Sequence, residues 1–448
     1  MRPGSGNGLL LEWKSIRSGA ASASQGQVVR LRGWLAAPDL AGRQVLTMEP
    51  PCCPGCSPGS NGAVLVEGAA LPFGRIAELE GQLDRSGATW VLRSARRVDA
   101  GFGRRRLLAA SPLLCLAAAA PETNPTMVLA DAVTVDVHSH AGGLLRVRTN
   151  GPFTPVAEPM REGGLAAVCL AIVSDSPTHH LATDHRIHPF REPTSGELYD
   201  YSQRAFARLH AMVVDQGMPL ITDAAGMRAA RAARPTAIVA AEGADFLEGR
   251  LERIDEAYSR WKLRHLQLTH YRVNELGDIQ TEEPVHGGLT DFGAAAIGRC
   301  NALGIVVDVA HGTLDLARRA AAVTSKPLVL SHTSLTTRPR PFTRLITPEH
   351  AKLVAGTGGV IGIWPVKSIF PDMDALAAGI ARMAAVVGID HVALGTDTMG
   401  LVGPATFGSY AELPGLARAL LAIGLDQDDV RKVLGGNYAR VFAVTMAV

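Results

Sequence analysis

Eight short apolar runs, each followed by sequence of helical character, succeed one another between residues 127 and 448. They cover 133–137, 165–173, 236–241, 263–269, 304–310, 327–331, 359–364 and 391–396. Continuous β-branched runs suit strands buried on both faces, as parallel sheets provide. Eight βα units in ~320 residues predict an α/β fold, a (β/α)8 TIM-type barrel over 127–448. Thr347-Pro348 reads as an N-cap followed by proline at the first helical position. Asp426 to Asp429 places acid at a helix start, and Gly435-Gly436 is expected to end that helix. The 47% hydrophobic content suits such a barrel, and six cysteines in 448 residues exclude a disulfide scaffold. A net charge of +2 lacks the basic excess of a nucleic-acid binder. No apolar run reaches the ~18 residues that a membrane-spanning helix needs.

The first 100 residues read differently. Short apolar runs at 28–35, 44–48, 63–66 and 89–92 are separated by Gly, Pro and Ser clusters. They predict a small N-terminal β domain over 1–100, OB-like and of unassigned role. Cys52 and the Cys53-Pro54-Gly55-Cys56 segment offer half of a four-cysteine zinc site, or a tight turn with free thiols. Residues 101–126 form a signal-like apolar linker. Arg104-Arg105-Arg106 precede an apolar stretch that ends in Ala118-Ala119-Ala120-Pro121, the layout of a twin-arginine export signal. Three readings stay open: an old signal kept in a fusion, a start assigned too early with Val98 as the candidate, or a plain connector. If 104–121 acts as a signal the product is periplasmic; otherwise it is cytoplasmic.

In a (β/α)8 barrel the active site forms at the C-terminal ends of the strands. The first run ends in His138-Ser139-His140, and residues two apart on a strand point the same way. The third ends in Glu242-Gly243, the fourth in Thr269-His270 and the fifth in Ala310-His311. The sixth ends in Ser331-His332 and the eighth in Thr396-Asp397. Five of the chain's 14 histidines thus stand at strand ends beside two carboxylates, which points to metal binding. Neutral imidazole and carboxylate suit zinc or another divalent metal. Seven groups exceed the needs of one tetrahedral ion and suit two ions about 3.5–4 Å apart under a bridging carboxylate. No lysine occupies a strand end, so Glu242 is the natural bridge. The segment 174–202, with His179, His180, His185 and His188, is expected to be a long loop over the pocket.

These residues resemble the membrane (renal) dipeptidase family of zinc metallopeptidases, within the amidohydrolase superfamily. The likeness is carried by Asp136-Val137-His138-Ser139-His140, Ala241-Glu242-Gly243, and Leu268-Thr269-His270 with Asn274. It continues through Gly288-Leu289-Thr290-Asp291, Asp308-Val309-Ala310-His311, Leu330-Ser331-His332, Gly395-Thr396-Asp397 and Gly435-Gly436-Asn437. The resemblance implies a metallo-dipeptidase with two zinc ions and a small dipeptide substrate; a homodimer is compatible with it, and no nucleic acid is expected. His138 and His140 would hold the first zinc, His311 and His332 the second, with Glu242 bridging. A hydroxide shared by the metals would attack the peptide bond. Asp397 would relay a proton to the leaving amine and His270 would hydrogen-bond the oxyanion. Arg344 would bind the substrate carboxylate, with Arg338 and Arg340 as rivals. Asp136 and Asp308 would orient the histidines or serve the core. Two departures stand out: His140 replaces the family aspartate, and Thr398-Met399-Gly400 lacks a second acid after Asp397. Other readings are a hydrolase of the same fold acting on an N-acyl amino acid, a lactam or a D-residue conjugate, and a non-catalytic ligand-binding barrel.

Overall fold

The computed structural model describes residues 125–130, 132–147, 151–336, 338 and 340–447, together with six strands of the N-terminal region. Cys52, Cys53, Cys56 and residues 101–124 of the signal-like linker lie outside the described residues. The chain divides into two compact units, one built on the N-terminal strands and one on 124–419 with 426–448.

In the first unit, β1 (Leu9–Leu10) runs parallel to β2 (Val28–Leu35). The other strands are β3 (Gln44–Thr47), β4 (Ala63–Gly68), β5 (Ile76–Ser86) and β6 (Thr89–Arg97). Strands β2, β3, β4, β6 and β5 pair in that order, and β5 returns to β2, so the five close a ring. Only β4–β6 is parallel among the ring's pairs. Val64 and Val66 are buried on either side of half-buried Leu65, the period-two pattern of a strand with one covered face.

The second unit is a closed barrel of eight parallel strands. They are β7 (Val135–Ser139), β8 (Ala167–Val173), β11 (Thr236–Glu242) and β12 (Leu263–Gln267). Next come β13 (Val306–Asp308), β14 (Leu328–Thr333), β15 (Val360–Ile363) and β16 (Val392–Leu394). All eight fall on the eight apolar runs, and every residue in them is buried. Small and β-branched side chains fill the core: Val135, Val137, Ala171, Ile238, Ala240, Val306, Val329, Val360 and Ala393. Each fully buried valine or isoleucine contributes about 1.5–3 kcal/mol. The helix Asn437–Met446 packs Tyr438, Val441 and Phe442 against this cluster.

The seam between the last and first barrel strands has one backbone register pair, Leu394 with Asp136. The buried Asp136 carboxylate reinforces it, accepting from Thr396 N at 2.8 Å, Thr396 Oγ1 at 2.6 Å, Tyr410 Oη at 2.8 Å and His138 N at 3.3 Å. Burial nonetheless pushes its pKa up to about 6. Asp308 accepts from Ala310 N at 2.9 Å and Ser331 N at 3.1 Å, and faces His265 Nε2 at 3.1 Å. Both aspartates therefore fix the backbone that carries the site histidines and leave the site imidazole rings untouched.

Helix starts follow the sequence signals. Thr347 accepts from His350 N with Pro348 at the first position, and Asp426 accepts from Asp429 N at 2.8 Å. Gly435-Gly436 closes the helical run begun at Gln427: Gly435, at φ 157°, breaks the helical geometry in a kink, and the helix Asn437–Met446 starts beyond it. A Cβ at Gly435 would collide with the backbone of Val133 and Val135, so the glycine permits close approach to β7. The segment 174–202 is not a structureless loop. It holds an antiparallel hairpin of β9 (His179–Leu181) and β10 (Ile187–Pro189), and the helix Glu197–Asp215 starts inside it. His185, at φ 62°, lies in the turn, and His188 sits 2.9 Å from Asp184 and 2.8 Å from Glu282. Among the described residues no helix is long and apolar enough to cross a membrane.

Candidate active site

At the C-terminal end of the barrel the side chains converge on Glu242, the last residue of β11. Its Oε1 lies 3.4 Å from His138 Nε2, 3.2 Å from His311 Nε2 and 3.4 Å from His332 Nε2. Its Oε2 lies 3.0 Å from His140 Nε2 and 3.4 Å from His270 Nε2. His138 and His140 face each other through their Nε2 atoms at 3.2 Å, and His311 and His332 do so at 3.1 Å. Without an ion, each contact has one imidazole donating and the other accepting. A tetrahedral ion with bonds of about 2.0–2.2 Å holds its ligands about 3.3–3.6 Å apart. These separations therefore fit two neighbouring cations with Glu242 between them. The donor set, imidazole and carboxylate, suits zinc among divalent metals.

Asp397 adds Oδ1 at 3.4 Å from His140 Nε2 and 3.9 Å from His138 Nε2. Asp397 and His311 both adopt left-handed backbone, at φ 50° and 67°. Such conformations are costly for non-glycine residues and concentrate at functional sites. Gly400 makes room for the arrangement, since a Cβ there would collide with Asp397 Oδ1 and crowd His140.

The electrostatics match a ligand cluster. Burial alone would raise the pKa of Glu242, but the imidazoles of His270 and His138 hold it well below the usual carboxylate range. Burial, with Arg344 nearby, pushes His311 and His332 well below ordinary imidazole values. Both are then neutral near pH 7, the state a metal ligand requires. Burial works against a proton on His140, yet its contacts with Asp397 and Glu242 raise it to about 10, so a metal entering there displaces a proton. His140 Nδ1 is anchored 2.9 Å from Ala171 O, and His332 Nδ1 lies 2.9 Å from Ser331 Oγ.

Arg344 is turned inward, whereas Arg338 and Arg340 are exposed. Its Nη1 donates to Gln280 Oε1 at 2.8 Å, its Nη2 lies 3.0 Å from His332 Nε2, and its Nε is buried without a partner. A cavity of about 120 Å³ opens beside the cluster, and Leu145, Val173, Ile187, Tyr271 and Trp364 supply its apolar wall. The structure thus brings together all eight anticipated residues: His138, His140, Glu242, His270, His311, His332, Arg344 and Asp397. It also adds Asp175, which sequence reasoning missed. Asp175 follows the second strand by two residues, and Trp364 ends the seventh run. Extending the strand-end rule to those two runs would have found both.

Residues 128–448 match the family model described as membrane dipeptidase, peptidase family M19. A dipeptidase of Aspergillus oryzae, aclJ, is 32% identical over 197 residues, covering 41% of this chain and 46% of that protein. A dipeptidase of Clonostachys rogersoniana, verJ, is 26% identical over 192 residues, covering 41% of this chain and 48% of that protein. The chain therefore spans about half the length of these curated relatives. A metallo peptidase from Rhodobacter sphaeroides, solved with a phosphinate mimic of the dipeptide L-Ala-D-Ala, is similar in fold at TM-score 0.59 and 23% identity. That likeness covers 70% of this chain and all of the other.

Proposed function

Since the chain belongs to the membrane dipeptidase family, we propose that it is a binuclear metal-dependent hydrolase that cleaves the peptide bond of dipeptides. The observation that carries this reading is one buried carboxylate, Glu242, set between two imidazole pairs at 3.0–3.4 Å. His138, His140 and Glu242 would hold one ion, and His311, His332 and Glu242 the other. Two such ions, zinc by donor chemistry, supply Lewis acidity and bring the pKa of water toward neutrality.

The remaining residues divide the work around the scissile bond. Asp397, whose Oδ1 lies 3.4 Å from His140 Nε2 at the edge of the cluster, takes the proton released by the attacking water and delivers it to the leaving nitrogen. His270 presents Nε2 to the same space and hydrogen-bonds the oxyanion as it develops. Arg344 binds the free carboxylate of the dipeptide, which would satisfy its buried, partnerless Nε. The apolar wall excludes water from the reacting groups.

Arg344→Ala is expected to raise KM about 10- to 100-fold with a smaller effect on kcat, the loss of one charge-assisted contact. Steady-state kinetics on a dipeptide and its C-terminal amide would check this. An unchanged KM would exclude recognition of a free carboxylate through Arg344.

The hairpin that brings His179 and Ile187 to the cavity supports a second reading, hydrolysis of another amide by the same site. One experiment separates the two. Purified protein is analysed for metal, then assayed on L,L and L,D dipeptides and N-acyl amino acids before and after chelation. Two metals per chain and chelator-sensitive dipeptide cleavage are expected. Cleavage of N-acyl amino acids alone would favour the second reading, and absence of both metal and activity would return the chain to a ligand-binding role.

A further inference from the structure

Asp175 lies just past β8, at a strand end that none of the proposed steps uses. Its side chain is fully buried. Oδ1 accepts from His270 Nδ1 at 2.7 Å, and Oδ2 accepts from Tyr271 N at 3.0 Å. The second contact ties the carboxylate to the backbone beside the imidazole it holds. His179 Nε2, from the hairpin strand β9, approaches the same Oδ1 at 3.3 Å. The far side of the His270 ring faces the cluster, with Nε2 3.4 Å from Glu242 Oε2. Asp175 thus lies behind His270, away from the reacting groups.

An ionised carboxylate only accepts hydrogen bonds. Burial favours the neutral acid at Asp175, but His270 and His179 outweigh it and hold the group well below the usual range. The 2.7 Å contact therefore places a proton on Nδ1, fixes the plane of the ring and leaves Nε2 as the atom turned to the cavity. An imidazole that must also donate from Nε2 needs a negative partner behind it, and Asp175 is the carboxylate in contact with Nδ1.

Resting on the dipeptidase reading, which gives His270 the oxyanion, we propose that Asp175 is the positioning residue for His270. It selects which nitrogen meets the substrate and supports donation from it. Through His179 the same oxygen is linked to the hairpin that lines the cavity, so the seating of that hairpin and the aim of His270 share one anchor.

Asp175→Asn in the metal-loaded full chain tests the proposal. kcat is expected to fall about 100-fold, with KM within about twofold and metal content unchanged. In a His270→Ala background the same substitution is expected to cost nothing further, because its route to the substrate is gone. Asp245→Asn is the control. Asp245 is also buried and lies 3.3 Å from Ser174 Oγ, but it binds Arg272 and Asn274, not His270, and kcat is expected to hold. Should Asp175→Asn not fold, the imidazole N–H proton spectrum of the unsubstituted protein decides. A low-field resonance that disappears in His270→Gln is expected. Equal kcat losses with and without His270, loss of metal from Asp175→Asn, or absence of that resonance would overturn the proposal. Failure of the dipeptidase reading would show differently, as an unsubstituted protein inactive on every dipeptide with the resonance present.

Discussion

Glu242→Gln is expected to remove metal binding and dipeptide hydrolysis together. The substitution keeps the shape of the side chain, so the barrel is expected to fold. What changes is the charge, and the replacement of one acceptor oxygen by an amide donor. That donor would face imidazole nitrogens now 3.0–3.4 Å from the carboxylate oxygens. Both proposed ions share this group, so neither keeps a full ligand set. Removing one partner of a buried charged cluster typically costs about 3–5 kcal/mol. Metal content is expected to fall below one ion per chain, and kcat/KM to fall about 10⁶-fold or more, the lower end of ordinary enzymatic acceleration. Mass-spectrometric metal analysis and an assay on the best dipeptide would check this, with circular dichroism as the test of folding. Two retained ions and activity within about tenfold of the starting protein would refute Glu242 as the bridge.

The second large effect is expected at Asp397. Asparagine at this position keeps the size of the side chain and loses the ability to take up and deliver a proton. Metal binding is expected to survive, because each proposed ion retains two histidines and Glu242. kcat is expected to fall about 10²- to 10⁴-fold, the usual contribution of a positioned acid–base group. The substitution also tests the backbone. Asp397 holds φ at 50°, its N donates to His138 O at 2.9 Å, and Gly400 N donates back to Asp397 O at 2.9 Å. Asparagine tolerates left-handed backbone well, so the fold cost is small and the kinetic loss reads chemistry. Activity above about a tenth of normal would move the proton transfer to another group.

The eight strands and the convergence of the candidate ligands were legible for one shared reason. Strands buried on both faces appear as unbroken apolar runs, and the residue that ends each run is the one delivered to the barrel's active end. Glu242, His311 and Asp397 could therefore be read from position alone. Asp175 could not be read as easily, because its run ends in Val173 and passes through a serine before the acid. The hairpin β9–β10 escaped notice because its strands are three residues long and rich in histidine, with the look of a polar loop. Gly435 was legible as a helix breaker, but its second role, the close approach to β7, was not. The pairing of the N-terminal strands into a ring depends on contacts between distant residues, which no local pattern encodes.

The seam between β16 and β7 has a consequence for biosynthesis. His138 and His140 leave the ribosome early, and Asp397 leaves it late. The contacts that join them, His140 N to Thr398 O and Asp397 N to His138 O, both at 2.9 Å, exist only once β16 has been added. A growing chain synthesised at ordinary rates would carry the first histidine pair without that neighbour for roughly 10–50 s. During that interval the two imidazoles lack the neighbour that the folded site gives them. On the proposed reading, the closing strand completes the cylinder and the proposed site in one event.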